Sequence, residues 1–344
     1  MLYCNLSIYA KKGGECMAKL YQSYVDYLNA TIRIPSVQPY LAIDLFAGCG
    51  GLYLGFEAAG IKTIGYEMVA DCCETYRKNL NSECHQAKIT TETEFPKVDL
   101  IIGGPPCQPF SRRGKHTGKN DERNGFPAFI EAVRKVQPAI WVCENVKGLP
   151  EQNKEYFQNI IEEFNALGYV VEYRVFQLVK YDVPQNRERL VIVGHRGGFQ
   201  FPEPNEYKVT AGEALGHLAT EIPENAAFLT PAMDEYIAKY EAASKCKNPR
   251  DLHLDRPART LTCRNLAGAT SDMHRIKLPD GRRRRITVRE AARLQSFPDW
   301  FEFSGNEESQ FTQIGNAVPP MFAFKLATKI KEYLDNIKRQ EVDA

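Results

Sequence analysis

Short apolar segments alternate with amphipathic ones between residues 40 and 195. Buried strands are predicted by six segments rich in branched side chains: LAIDLF, IKTIGYE, VDLIIGG, AIWVCENV, YVVEYRVF and RLVIVG. Between most of them, helical spacing predicts helices over residues 52–59, 71–80, 126–135 and 156–167. Strands that alternate with helices predict an α/β domain in which ligands bind at the carboxyl ends of parallel strands.

The pattern changes on both sides of this domain, which we place at residues 40–195. Residues 1–39 form an extension without a chemical motif, and only 17–34 show helical spacing. Residues 196–311 are rich in proline, glycine and charge, which predicts a smaller, loop-rich second domain. Residues 312–344 end in an amphipathic helix that we expect to return to the first domain.

Composition narrows the class of protein. The 344 residues are 43% hydrophobic and 25% charged, which is typical of a soluble globular chain. A net charge of +1 does not by itself indicate a polyanionic partner, but it does not exclude nucleic acid. The ten cysteines are too few for a disulfide scaffold and include no metal-type pair, so we expect no metal and a reducing cytoplasm. We find neither a signal peptide nor an apolar run long enough to cross a membrane.

A glycine-rich turn follows the first predicted strand. Gly48, Gly50 and Gly51 allow a ligand to approach the backbone closely, and Glu67 ends the next strand, where its carboxylate can accept hydrogen bonds from both hydroxyls of a ribose. The glycines alone fit a dinucleotide-binding oxidoreductase or a plain tight turn equally well. The GxGxxG spacing is absent, which disfavours nicotinamide and flavin cofactors.

The segment GGPPCQPFS, residues 103–111, directly follows another predicted strand. Its prolines stiffen the chain around Cys107, and its glycines admit a planar substrate. Arginines nearby, such as Arg112, Arg113, Arg187 and Arg189, would favour the thiolate of Cys107. The alternative is a buried structural cysteine, which we accept for Cys49, Cys72, Cys73, Cys84, Cys143, Cys246 and Cys263.

Two further motifs flank predicted strands. Glu144 ends the strand AIWVCENV, and Gln185, Arg187 and Arg189 precede the strand RLVIVG. A lone charged residue of this kind is usually a solvated surface group. Because three such features border one sheet, we expect them to converge on one crevice.

Together these segments resemble the motifs of the DNA (cytosine-5) methyltransferases. In the family's order, six segments match: DLFAGCGG, GGPPCQPFS, ENV, QNRERL, RITVREAARLQSFPD and QIGNAVPP. The stretch from the first of these segments to the last, residues 44–320, spans about four-fifths of the chain. The resemblance implies a Rossmann-like S-adenosylmethionine-dependent methyltransferase domain with a mixed, mostly parallel sheet, plus a smaller loop-rich target-recognition domain that includes the motif at 286–300.

The resemblance also implies a mechanism. Cys107 would add to C6 of a cytosine, Glu144 would hold a proton at N3 and the exocyclic amine, and Arg189 would donate to O2. Arg187 would help to fix the loop, and we count it with the catalytic residues. Because C5 and C6 are inaccessible in stacked DNA, the cytosine would rotate out of the duplex.

The implied cofactor is S-adenosylmethionine, with S-adenosylhomocysteine as product. Phe46 would stack on adenine, the backbone of Gly48, Gly50 and Gly51 would lie near the methionine part, and Glu67 would bind the ribose. The other implied contacts are Ile89, Phe126 as an apolar wall, and Asn316 and Val318 from the far end of the chain. Lys88 stands where the family commonly has an aspartate, so the contact to the adenine amino group must come from elsewhere.

We expect double-stranded DNA as the partner. The candidate DNA contacts are Gln108, Ser111 and Arg113 in the cysteine loop, and Arg282, Arg283, Arg284 and Arg285 as a phosphate-binding strip. Most charge runs are simply solvated faces. Base reading is expected from loops between Phe199 and Gly281, including DRPARTLTCRNLAG. We further expect a monomer in the bacterial cytoplasm that protects DNA in restriction-modification, with any companion endonuclease physically separate.

Three other interpretations compete. A cytosine-5 methyltransferase acting on tRNA would share the catalytic motifs, but its CFT-type tripeptide is absent and the long variable segment favours duplex DNA. A catalytically silent DNA-binding relative is disfavoured by the intact Cys107, Glu144 and Arg189. A nicotinamide oxidoreductase would leave the cysteine loop without a purpose.

Overall fold

The computed structural model describes most of the chain. Its described residues are 11–12, 15–16, 23–80, 82–106, 124–224, 226–243, 250–268 and 272–343. Four predicted site residues therefore lie outside the described part of the chain: Cys107, Gln108, Ser111 and Arg113.

The elements follow the predicted order. The α-helices are α1 (Tyr24–Thr31), α2 (Gly51–Ala58), α3 (Ala70–Asn79), α4 (Phe126–Val136), α5 (Gly148–Gln152), α6 (Lys154–Ala166), α7 (Ala211–Leu215), α8 (Pro231–Ala243), α9 (Cys263–Ala267), α10 (Val288–Leu294), α11 (Glu307–Asn316) and α12 (Pro320–Asp343). The strands are β1 (Lys11–Lys12), β2 (Glu15–Cys16), β3 (Tyr40–Leu45), β4 (Ile61–Glu67), β5 (Cys84–Gln86), β6 (Leu100–Gly103), β7 (Ile140–Asn145), β8 (Val170–Gln177), β9 (Gln185–Asn186), β10 (Glu188–His195), β11 (Ala258–Arg259), β12 (Arg275–Lys277) and β13 (Arg283–Arg285). Between residues 40 and 195 the predicted elements agree with these bounds to within two residues, and the prediction lacks the short elements β5, α5 and β9.

Seven strands form one sheet in the order β5-β4-β3-β6-β7-β10-β8. The pairs β4–β5, β3–β4, β3–β6 and β6–β7 are parallel, whereas β10 is antiparallel to both β7 and β8. This confirms the predicted mixed, mostly parallel sheet. Because β10 runs in the opposite direction, its first residues lie at the carboxyl edge of β7, where Val191 pairs with Glu144.

An apolar core fixes one face of this sheet. Ile43 of β3, Ile101 of β6 and Trp141 of β7 are fully buried with Phe129 of α4 and Phe164 of α6. The Trp141 ring stacks on Phe164 with centroids 3.9 Å apart, a geometry that adds to the gain from burying apolar area. Strands β6 and β7 are buried almost throughout, which explains why they appear in the sequence as unbroken apolar runs.

The chain folds into two compact units. The sheet unit comprises residues 33–178, 188–203 and 322–344, and the loop unit comprises residues 1–32, 179–187 and 204–321. The domain boundaries predicted from composition stay a prediction. In the part of the chain that is described, no helix combines the length and the apolar character needed to cross a bilayer.

Helix α1 belongs to the loop unit. The Ser23 side chain caps it by accepting a hydrogen bond from the Asp26 amide at 3.1 Å. The Tyr24 hydroxyl donates to the Asp182 carbonyl at 2.8 Å, and the Asp299 amide donates to the Asn29 side chain at 2.7 Å. Side-chain and backbone hydrogen bonds thus tie the predicted N-terminal helix to segments that are distant in sequence.

Candidate active site

The glycine turn joins β3 to α2 and has an unusual backbone. Phe46 has a φ of 62°, a left-handed conformation that non-glycine residues seldom adopt, and Gly48 and Gly50 have φ of 57° and 91°. A Cβ built on Gly48 would meet no atom within 4 Å, so the space beside this backbone is open. Left-handed residues of this kind cluster at ligand-binding sites.

Glu67 lies beside this turn because β4 is parallel to β3. Its carboxylate accepts hydrogen bonds from the amides of Gly48 at 2.9 Å and of Met68 and Val69 at 2.8 Å. The predicted glycine turn and its acidic partner are therefore in direct contact. The side chains of Met68 and Val69 are exposed and supply apolar surface next to the carboxylate.

Asp44 is a further acid at this turn, to which the sequence analysis assigned no role. Its side chain is 1% exposed, and neither carboxylate oxygen has a hydrogen-bond partner within the described residues. Burial raises the pKa of Asp44 well above its usual value, and the nearby Glu67 raises it further. The signal available in the sequence was one acidic residue inside the otherwise apolar strand LAIDLF.

Two aromatic residues of the predicted cofactor pocket differ in exposure. The Phe46 ring is half-buried at the end of β3, and a Cβ on Gly125 would lie 2.9 Å from its Cζ. Phe126 is 0% exposed inside the apolar core, edge-to-face with Tyr156. A ring without exposed surface does not fit the predicted role of an apolar wall. Ile89 keeps a small exposed fraction of 9%.

Glu144 and Arg189 meet at the carboxyl edge of β7. The Arg189 Nε donates to Glu144 Oε1 at 2.8 Å, and the two side chains are 17% and 13% exposed. The antiparallel direction of β10 brings them together, because a parallel strand would begin at the opposite edge of the sheet. Lys147, two residues after the end of β7, forms an ion pair with Glu188 at the start of β10.

The described residues at the start of the cysteine loop form hydrogen bonds at this edge of the sheet. Asn145 is buried, and its side-chain amide donates to the Pro105 carbonyl at 3.0 Å. The Gly125 amide donates to the Pro106 carbonyl at 2.9 Å, which joins the described residues on the two sides of the segment 107–123. A Cβ on Gly104 would lie 3.3 Å from Glu144 Oε2, which shows how closely the carboxylate approaches this backbone.

Arg187 has a different environment, within the loop unit. It is 1% exposed and donates to the carbonyls of Leu261 at 2.7 Å, Gly315 at 3.2 Å and Ala317 at 3.1 Å. Gln295 also donates to the Ala317 carbonyl, at 2.7 Å. These contacts make Arg187 a positioning residue for the segment around Asn316 and Val318, instead of a group that touches substrate. The predicted cofactor contacts of Asn316 and Val318 stay predictions.

The four-arginine run does not form a single basic strip. Arg284 is 0% exposed and forms an ion pair with Glu290 at 2.6 Å, while Arg283 pairs with Asp234 and Asp251 at 3.0 Å. Because residues 283–285 form strand β13, successive side chains point to opposite faces, and Arg284 points inward. The predicted phosphate contact of Arg284 is therefore wrong.

The other two members of the run are more open. Arg282 has a side chain that is 56% exposed, next to Asp280 and over the Phe228 ring. Arg285 donates to the Leu266 carbonyl at 2.9 Å. Of the four, Arg282 is the one whose guanidinium is mostly in solvent.

The remaining cysteines resemble structural residues. Cys49, Cys73, Cys84 and Cys143 are buried, and burial raises the pKa of the Cys49 thiol to about 12. Cys246 lies outside the described residues. No cluster of His, Cys, Asp and Glu suited to a metal occurs in the described part of the chain.

Solved structures share this fold. The chain is similar to the Entamoeba histolytica methyltransferase EhMeth, with a TM-score of 0.68 and 18% identity over 86% of this chain and 98% of that one. It is also similar to the S. pombe Dnmt2 methyltransferase, with a TM-score of 0.66 and 15% identity over 86% and 99% of the two chains. At these identities the likeness shows a methyltransferase fold.

The sequence comparison is more specific. The chain is 51% identical to the Type II methyltransferase M.AplI of Arthrospira platensis, over 93% of this chain and 94% of the relative. It is 34% identical to M.NgoFVII of Neisseria gonorrhoeae, over 92% of each. The sequence model of the C-5 cytosine-specific DNA methylases matches residues 40–332, and the chain belongs to this family.

Membership makes the protein an S-adenosylmethionine-dependent enzyme that methylates C5 of cytosine in DNA. The turn around Gly48 fits such a cofactor in three respects. Its backbone is open, the Asp44 carboxylate has no partner among the described residues, and the Glu67 carboxylate lies beside it.

Proposed function

We propose that this enzyme methylates one cytosine within a specific double-stranded DNA sequence, using base flipping and a covalent bond between Cys107 Sγ and C6. The observation that carries the proposal is the Glu144–Arg189 ion pair beside Gly104, at the stem of the cysteine loop. An acid and a guanidinium at this place match the N3 and O2 edge of a cytosine whose ring would face the loop.

In this mechanism Cys107 acts as a thiolate. Its sulfur adds to C6, and the electrons of the C5–C6 double bond move to C5. Glu144 holds the proton at N3 as charge develops on the ring, and Arg189 donates to O2. When bound, S-adenosylmethionine supplies an electrophilic methyl group on a sulfonium, which C5 takes. This methyl transfer leaves S-adenosylhomocysteine as the neutral thioether. Loss of the C5 proton to solvent and elimination of the thiolate from C6 then restore the C5–C6 double bond.

The cofactor is held in this proposal by residues of the glycine turn and its surroundings. Phe46 stacks on adenine, and the Gly48 backbone borders the methionine part. The Glu67 carboxylate accepts hydrogen bonds from the ribose hydroxyls in place of those from the backbone amides. Asp44 faces the cationic part of the cofactor, since a buried carboxylate without a partner is stabilised by a nearby positive charge. We also assign Asn316 and Val318 of the C-terminal motif to cofactor binding.

The biological role follows from the relatives. M.AplI and M.NgoFVII are Type II methyltransferases of bacteria, which supports a role in restriction-modification in a bacterial cytoplasm. The enzyme acts as a monomer, and a companion endonuclease would bind the same DNA separately. The family and these relatives favour DNA over the tRNA alternative.

A two-substrate assay tests the proposal. Labelled S-adenosylmethionine is supplied with duplex DNA or with tRNA, to the wild type and to Cys107→Ser. We expect label in DNA only, at cytosine C5, and no turnover by the variant although DNA binding remains measurable. Label in tRNA, or full methylation by Cys107→Ser, would contradict it. A variant at a buried cysteine, Cys143→Ser, serves as the control.

A further inference from the structure

The loop unit contains a cavity that the proposed chemistry does not use. Its volume is about 390 Å³, within the range of pockets that hold small ligands. Its lining includes Asn186, Arg250, Arg256, Arg259, His253 and His274. Such a concentration of side chains that recognise nucleic acid is unusual for a structural void, because voids in protein interiors are normally apolar.

Two polar side chains at this cavity are exposed. The side chains of Arg256 and Asn186 make no hydrogen bond or ion pair with the rest of the described chain. The other two arginines are compensated, since Arg250 and Arg259 both form ion pairs with Asp272. Arg256 is thus the guanidinium of this lining that is available to a ligand.

The wall of the cavity suits a neutral ligand better than a phosphate. His274 is 2% exposed, and neither ring nitrogen has a hydrogen-bond partner among the described residues. Burial and, to a smaller extent, the neighbouring Arg259 lower the pKa of His274 to about 3 against a smaller raising effect of the Thr260 backbone, so the ring is neutral at pH 7. The carboxylate of Asp251 also lines the cavity, where Arg275 and Arg283 form ion pairs with it.

We propose that this cavity reads a guanine of the recognised DNA sequence, with the Arg256 guanidinium donating to O6 and N7 of the base. Two parallel N–H donors match these two acceptors, and this pair is the commonest specific contact between proteins and DNA. The inference rests on the proposed function and assigns one base-reading residue to it. Asn186 belongs to the arginine motif and lies three residues before Arg189 in the sequence, so this motif supplies one residue of the cavity lining.

The test compares Arg256→Ala with the wild type on a random-sequence DNA library read by bisulfite sequencing. We expect the variant to lose the requirement for guanine at one position, with roughly 10- to 100-fold less discrimination there. Arg134→Ala is the control, because Arg134 is an exposed arginine on helix α4 that does not line the cavity and belongs to no segment assigned to DNA. It should keep the wild-type sequence preference.

A base analogue tests whether Arg256 contacts N7 of the guanine. Replacing that guanine by 7-deazaguanine removes N7, and we expect the value of kcat/KM to fall for the wild type but not further for Arg256→Ala. This measurement on the wild type holds even where the variant is poorly folded.

Three results would overturn the inference while the wild type still methylates DNA. The first is an equal loss on all sequences together with a salt slope smaller by about 1, which is the behaviour of a phosphate contact. The others are an unchanged preference of Arg256→Ala, and additive losses from the variant and the analogue. If the wild type methylates no DNA, the proposed function itself fails.

Discussion

The two units bury different kinds of side chain. In the sheet unit the centre is apolar, with Trp141, Phe129 and Phe164 fully buried, and the charged pair Glu144–Arg189 lies at the sheet edge. In the loop unit three large cations, Arg187, Arg275 and Arg284, are among the most deeply buried side chains of the described residues.

The difference follows from what the backbone needs. In a sheet, neighbouring strands satisfy the amide and carbonyl groups, so the side chains are free to be apolar. The loop unit has few paired strands, so its backbone carbonyl groups need hydrogen-bond donors other than neighbouring strands. A guanidinium offers five donors in a rigid fork, and Arg187 alone serves three carbonyls. Buried arginine in a loop-rich region is therefore evidence of structure at least as often as of nucleic-acid binding.

The largest effect is expected at the sheet edge, where the Glu144 carboxyl takes part in the proposed reaction. Glu144→Gln should lower kcat by about 10²- to 10⁴-fold, because the acid that holds the N3 proton is lost. Cofactor affinity, measured by calorimetry, should stay near the wild-type value. Equal losses in both would indicate a structural role. Glu94→Gln, at an exposed carboxylate paired with Lys135, is the control.

In the loop unit the buried charge of Arg284 contributes to the stability of the fold. Arg284→Ala should lower the free energy of unfolding by about 3–5 kcal/mol, because it leaves Glu290 buried without its partner. Urea denaturation measures the change. The exposed neighbour Arg282→Ala should shift stability by no more than about 0.5 kcal/mol. Equal urea midpoints for Arg284→Ala and Arg282→Ala would contradict a structural role of the buried arginine.

Asp44 tests the comparison within the sheet unit, because it is a buried charge without a structural partner among the described residues. The folded pKa is raised, so the folded state binds a proton more tightly, and stability falls as pH rises from about 4 through the folded value. Asp44→Asn should abolish this fall, adding roughly 1–3 kcal/mol at pH 7. It should also weaken cofactor binding. A less stable variant at pH 7, or unchanged binding, would contradict the assignment.

The smallest effect is expected at the surface of the loop unit. Arg282→Ala should weaken DNA binding equally for all sequences and reduce the slope of log K against log salt by about 1. A titration at several salt concentrations measures both. An unchanged slope would mean that Arg282 does not contact phosphate.

The sheet unit could be predicted almost completely. Most of its strands are buried and its helices are amphipathic, so hydrophobic periodicity located both, and the ends of β3, β4 and β7 indicated where Phe46, Glu67 and Glu144 lie. The loop unit lacks such periodicity. Its four-arginine run looks the same in sequence whether its members face solvent or, as with Arg284, the interior.

The sequence by itself determined the family, the order of the strands and helices, and the chemical identity of the site residues, because these depend on local pattern and on motifs. Only the tertiary structure decided that β10 runs antiparallel and so brings Arg189 to Glu144, that Asp44 is buried without a partner in the described chain, and that Arg187 and Arg284 hold the loop unit together. Strand direction and the burial of a charged group depend on contacts between segments that are distant in sequence, such as Arg187 and the carbonyls of Leu261 and Ala317, and no local window of sequence contains them.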